Sequence, residues 1–134
     1  MRFIRSLLRP LLAWVFVHGG IDVLRKPGPR AEKAEGTVEA LSQRIPAIPA
    51  DPVMAVKVNA IVQVGAGTLL ATGRFPRLSA AVLAASLVPT TVAGHPFWEE
   101  DDPQKRAMQR THFDKNMAML GGLLLVATEP RNAA

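Results

Sequence analysis

The residues of this chain with chemistry to offer are its three histidines, a few amides and the charges beside them. His18 and Asp22 lie four positions apart, as do Asn59 and Gln63, and His112 and Asn116. On a helix that spacing stacks two side chains on one face. A carboxylate one turn from an imidazole can fix its tautomer or raise its pKa, which makes His18 with Asp22 a candidate proton-transfer pair. Lys115 adjoins the third pair, and His95 and Trp98 bracket Phe97 in the run GHPFWEEDDP. Donors that are neutral or cationic, with aromatics nearby, suit a quinone head group or a small anion. Each has a plainer reading: Lys57, His95 and Lys115 as interface residues, Phe97 and Trp98 as an aromatic belt, Asn59 and Gln63 as bonds that lock helices together.

Other chemistries drop out. No His-x-x-x-His or comparable ligand spacing occurs, so no metal site is expected. Haem needs facing histidines deep in a bundle, a position that only His18 approaches. There is no Ser-His-Asp or phosphate-loop pattern, which removes the hydrolase and nucleotide-binding classes. The chain has no cysteine, so disulfides, thiolate metal sites and persulfide chemistry are excluded. No catalytic residue can be assigned from this pattern.

The elements that must position these groups follow from how charge is distributed. At 134 residues the chain has room for one domain, 1–134. Its mean hydropathy is only +0.15, yet charge is absent from 10–21, 58–73, 78–98 and 116–128. A soluble amphipathic helix needs a polar face every second turn, so blocks this clean predict helices that are apolar all round. The expected fold class is all-α: an antiparallel four-helix transmembrane bundle, with spans at about 4–24, 53–72, 78–94 and 111–128. Three of the blocks fall short of the roughly 20 residues a bilayer demands, so Arg5, Arg9, Lys57 and Lys115 at their edges must snorkel. The net charge of +5 does not point to nucleic acid. The basic residues bracket apolar runs instead of forming one stripe.

Along the chain, the basic start MRFIRSLLRP leads into an apolar run without a small-residue cleavage site, so the first span is expected to stay attached. Between the first and second spans, Ala34, Val38, Leu41 and Ile45 recur at helical spacing among charges. This predicts a short amphipathic helix in the first loop, lying on the bilayer or packed on the bundle end. Asp51-Pro52 and Asp102-Pro103 are capped helix starts, so the fourth helix should begin near Pro103 and end near Thr128. Pro89 should kink the third span and free a carbonyl for Thr90 or Thr91. Gly65, Gly67, Gly121, Gly122, Ala80, Ala81, Ala84 and Ala85 should let backbones approach closely. Alternating spans would then gather His18, Asp22, Asn59, Gln63, His95, Trp98, His112, Lys115 and Asn116 at one end.

The run GHPFWEEDDPQKRAMQRTHFDKNMAMLGGLLL, with GGIDVLRKP and VQVGAGTLLATGRFPR, resembles the DoxX family of bacterial integral membrane proteins. The resemblance implies a four-helix protein of the bacterial plasma (inner) membrane. It also implies kinship with a subunit associated with thiosulfate:quinone oxidoreductase, and with a mycobacterial member of a membrane oxidoreductase complex that handles oxidative and thiol stress. Without cysteine, this chain has no thiol to carry sulfur directly. Arg2, Arg5, Arg9, Arg74, Arg77 and Arg131 share one side with few acids, which by the short-loop rule puts both termini in the cytoplasm. Two functions fit. One is a subunit of a membrane oxidoreductase system that binds a quinone or small anion at the polar end. The other is a non-catalytic scaffold that docks redox or stress-response partners through its loops. The expected partners are the bilayer, redox enzymes and a second copy of the chain. Deleting 32–44 should abolish docking but spare ligand binding.

Overall fold

The computed structural model describes residues 2–130; Arg131 lies outside the described residues. Five helices follow in order: α1 (Arg2–Arg25), α2 (Gly28–Arg44), α3 (Pro52–Ala71), α4 (Pro76–Gly94) and α5 (Pro103–Ala127). A 3₁₀ turn at Phe97–Glu99 joins α4 to α5, and no strand occurs among the described residues. Three stretches, Phe3–Arg25, Pro52–Ala71 and Pro76–Glu99, are long and apolar enough to cross a membrane. The helix expected as the fourth span, α5, has the length at 25 residues. Its first half, however, carries Lys105, Arg106, Arg110, Asp114 and Lys115.

Local chemistry sets the helix starts. The Asp51 carboxylate accepts from the Met54 amide at 2.7 Å, and Asp102 accepts from the amides of Gln104 and Lys105 at 3.0 and 2.9 Å. Proline follows each cap, where its missing N–H costs nothing. The turn into α4 is tighter: Gly73 has φ 71° and Phe75 φ 48°. Pro76 opens the helix behind them, and α4 runs unbroken through Pro89. The carbonyl left without its donor by Pro89 belongs to Ala85, four residues back. Thr90 and Thr91 instead donate to the carbonyls of Ser86 and Leu87, at 2.8 and 2.7 Å.

The core is small and mixed in origin. Leu70 of α3, Leu83 of α4 and Leu123 of α5 are fully buried, with Ala13, Phe16, Ala66, Ala80, Ala84 and Leu87 around them. Helix α2 buries Ala31, Ala34 and Val38 and packs on α3 and α4. Of the two placements open for this segment, its apolar stripe therefore lies against other helices; Ile45, counted in that stripe, falls after the helix and is exposed. At the far end, Arg5 and Arg9 pair with Glu129 at 3.5 and 3.6 Å, and Arg77 donates to the Ala127 carbonyl at 3.2 Å.

Helix α1 meets α3 through glycine. A Cβ built on Gly20 would lie 2.7 Å from Val64 Cγ2 and 2.9 Å from the Ala60 carbonyl; one on Gly67 would lie 2.8 Å from Val17 Cγ2. The two sites are reciprocal, since Gly20 faces the earlier part of α3 while Gly67 faces Ala13 and Val17, so the helices pair with opposite chain sense. Gly65 and Gly121 meet nothing, and Ala81 and Ala85 are exposed, so those four small residues have no close neighbour helix. Gly20→Ala should lower stability by about 1–3 kcal/mol through overpacking against a backbone carbonyl. Gly65→Ala, with open space, should be neutral or stabilising by up to ~1 kcal/mol. Thermal or SDS unfolding of the detergent-solubilised protein measures both, and equal effects would contradict the close approach.

Candidate functional site

A ladder of short polar side chains crosses the apolar faces of α3, α4 and α5. Ser86 Oγ donates to Asn59 Oδ1 at 2.7 Å and accepts from Gln63 Nε2 at 2.9 Å. Asn59 Nδ2 and Gln63 Nε2 both reach Thr90 Oγ1, at 3.2 and 3.5 Å. Further along, Asn116 Nδ2 donates to Thr91 Oγ1 at 3.0 Å. Ser86 and Thr90 lie four apart on α4, as Asn59 and Gln63 do on α3, so the two pairs face each other rung for rung. Among the described residues no buried side-chain nitrogen or oxygen lacks a partner. An orphaned polar atom in such surroundings would cost several kcal/mol.

Beside this ladder opens a cavity of ≈ 390 Å³. Phe16 of α1, Val38 and Leu41 of α2, Val62 of α3, Leu87 of α4 and Met119 of α5 form apolar walls. Its polar lining consists of Thr37, Asn59, Gln63, Thr90, His95 and Asn116, with the cations Arg30, Lys33 and Lys115, and no carboxylate is among these lining residues. Two amide oxygens are still available. Gln63 Oε1 and Asn116 Oδ1 accept no hydrogen bond among the described residues, and since no buried polar atom is orphaned, both are accessible. The cavity thus presents cationic donors together with neutral acceptors, between apolar walls.

His95 follows α4 as its C-cap residue. Its Nδ1 is 2.8 Å from Gln109 Oε1, an acceptor, so Nδ1 carries the proton and Nε2 is left to accept when the ring is neutral. Its ring stacks on His112 with centroids 5.1 Å apart. Trp98, Phe97 and Phe113 form an edge-to-face cluster with centroids 5.2–6.0 Å apart, and the Arg110 guanidinium lies 5.6 Å above Phe97. Neither that cluster nor His112 lines the cavity.

The nine candidate residues therefore divide. Asn59, Gln63, His95, Lys115 and Asn116 meet at one cavity. His112 and Trp98 stand beside it in aromatic contacts. His18 and Asp22 do not join: they pair with each other at 3.5 Å on an exposed face of α1, where Trp14 stacks on His18 at 5.7 Å. Lys57 is exposed and outside the lining. The sequence reading missed Ser86, Gln109, Arg30 and Lys33. Ser86 and Thr90 carried a signal, an i,i+4 hydroxyl pair in an uncharged run that matches the amide pair on α3. Gln109 carried none.

The ladder makes a non-additive prediction. Ser86→Ala orphans Asn59 Oδ1 and a Gln63 donor and should cost about 1–3 kcal/mol. Gln63→Leu with Ser86→Ala should cost less than the sum of the single changes, because apolar groups then replace both partners. A double-mutant cycle by SDS or thermal unfolding reads the coupling, and strict additivity would remove the ladder's role.

The family model described as DoxX matches residues 4–96, more than half of the chain. The match takes in α1 to α4 and stops before α5, so most of the run ending in GGLLL lies beyond it. No curated protein and no solved structure matches. With its apolar helices and this match, the chain is a multi-pass membrane protein and belongs to the DoxX family.

Proposed function

We propose that this DoxX-family protein binds a quinone head group in the cavity between α2 and the other helices, as a subunit of a membrane oxidoreductase system. The observation that carries the reading is the pairing of donors and open acceptors in one apolar-walled cavity: Arg30, Lys33 and Lys115 as donors, with Gln63 Oε1 and Asn116 Oδ1 as acceptors. Quinone carbonyls accept hydrogen bonds and quinol hydroxyls donate them, so such a lining can hold both redox forms. A small inorganic anion would gain from Arg30, Lys33 and Lys115 but meet two carbonyl oxygens, which favours the quinone. The volume of ≈ 390 Å³ falls within the range of small-molecule sites. The chain has no thiol, and in this reading a partner redox subunit exchanges two electrons with the bound ring while the two protons that interconvert quinone and quinol pass between the ring and water.

The same reading places α1, α3, α4 and α5 as four antiparallel spans in the bacterial plasma membrane. Supporting α5 as the fourth is its packing on α4 and the Asn116–Thr91 bond, which hides the one buried amide of its apolar block. Arg5, Arg9, Arg74 and Arg77 then mark the cytoplasmic side, with both termini there and the cavity toward the outside. Helix α2 supplies Ala34, Val38 and Leu41 to the cavity wall. Deleting 32–44 would consequently open the site, and the expectation that ligand binding survives that deletion is withdrawn.

A short-tailed benzoquinone or naphthoquinone titrated against the protein in nanodiscs tests the proposal. Saturable binding is expected. Ala93→Phe, which fills the cavity from its wall, should abolish it. Asn116→Leu should weaken binding of the quinol more than of the quinone, by roughly tenfold for one lost buried hydrogen bond to a ligand. Absence of saturable binding, or binding by Ala93→Phe equal to that of the unaltered chain, would overturn the quinone reading. Displacement by millimolar sulfate would transfer the site to anions.

A further inference from the structure

The face of α1 that carries His18 and Asp22 is turned away from every other helix. Only 17% of this helix's most apolar stretch is buried, against 33% and 39% for α3 and α4. Its exposed residues include Ile4, Leu7, Leu11, Trp14, His18 and Ile21, at intervals of three and four. That 3-4 spacing is the seam of a left-handed helix pair. Along it, Leu11 is 73% and Trp14 67% exposed, and the His18 and Asp22 side chains 61% and 56%.

Depth makes this exposure consequential. Gly20 sits against Ala60 and Val64, and Gly67 against Ala13 and Val17. His18 is therefore level with about Val64, and Asp22 with about Ala60, within roughly a turn of the midpoint of α3. Helix α3, with 20 residues, just spans a hydrocarbon core of about 30 Å. A histidine and a carboxylate facing lipid at that depth are costly, and such residues nearly always face protein or water. Their mutual contact at 3.5 Å leaves His18 Nε2 and Asp22 Oδ1 without partners among the described residues.

We propose that this face of α1 is the interface of a homodimer, two copies packing α1 against α1 along the 4-7-11-14-18-21 seam with the His18–Asp22 pairs apposed. The occupant is a second copy because the face is self-complementary: as an imidazolium–carboxylate pair it offers one donor, His18 Nε2–H, and one acceptor, Asp22 Oδ1, and a two-fold axis along the membrane normal presents each pair to the same pair. Copies inserted with one orientation have parallel α1 helices, as a left-handed seam of this period allows. The polar pair then fixes register, the role that a single polar position plays in coiled coils.

The absence of native cysteine makes the test direct. Leu11→Cys, Trp14→Cys and Ile21→Cys lie on the seam; Leu125→Cys on α5 is the control, as exposed as Leu11 at 73% and near it in depth, since Leu12 touches Gly122. Mild oxidation in membranes should give disulfide dimers at the three seam positions and little at the control. Equal crosslinking at all four, none at the seam, or a seam adduct of a mass other than twice the chain would each overturn the proposal. Because one substitution could impair folding, the three seam positions serve as independent readings. His18→Leu, with its thermal transition retained, should raise the dimer dissociation constant in bilayers by roughly three- to tenfold. An unchanged constant from single-molecule photobleaching would remove the polar pair from the interface.

Discussion

The hydroxyl of Ser86 is the contact on which the interior depends. It donates to Asn59 and accepts from Gln63, so one small side chain on α4 discharges two amides from α3. In a membrane protein the hydrophobic effect does not drive helices together, since lipid is as apolar as leucine. Association rests instead on close packing and on polar groups that have nowhere else to go. The ladder supplies the second term between α3 and α4, Asn116 with Thr91 extends it to α5, and the glycine contacts supply the first between α1 and α3. These two devices use different chemistry, and they hold different parts of the chain.

The ladder also explains why a cavity can exist beside it. Amide nitrogens are consumed by hydroxyls on neighbouring helices, which fixes the rotamers of Asn59, Gln63 and Asn116 and leaves the oxygens of Gln63 and Asn116 open beside the cavity that both residues line. Lock and site are then the same residues, with the donor side structural and the acceptor side open. The two readings of Asn59 and Gln63 weighed from sequence, helix glue and ligand contact, are compatible for Gln63. Asn59 is taken up on both of its atoms, giving to Thr90 and accepting from Ser86.

What the sequence disclosed was where helices begin and which stretches are uncharged. Asp51-Pro52 and Asp102-Pro103 announce their helices through backbone chemistry alone, and both carboxylates do cap. Faces were another matter. A helix apolar all round has no polar side to indicate which way it is turned, so nothing in the first span told that Gly20 looks inward and His18 outward. For the same reason Gly65 and Gly67, two residues apart, were read alike, although only Gly67 touches a neighbour. Helix α2 was the easier case, because charges interrupt its apolar stripe: of Ala34, Val38, Leu41 and Ile45, the first two are buried and Leu41 is partly so, while Ile45 lies past the helix end and is exposed.

The separation of His18 from the other two histidines follows from how little of α1 is held. It lies mainly on α3 and approaches α5 at Leu12, opposite Gly122, so a single glycine-lined strip sets its rotation. Gly20 and Ala13 occupy that strip, along with Phe16. His18 stands two positions before Gly20 and therefore about 200° around the helix from it, at ~100° per residue. No alternative rotation could bring His18 inward without moving Gly20 off Ala60, where a side chain larger than hydrogen has no room. The close approach that joins α1 to the protein is thus what turns its only acid–base pair toward the membrane, and the histidines at the cavity side, His95 and His112, are left to partner each other.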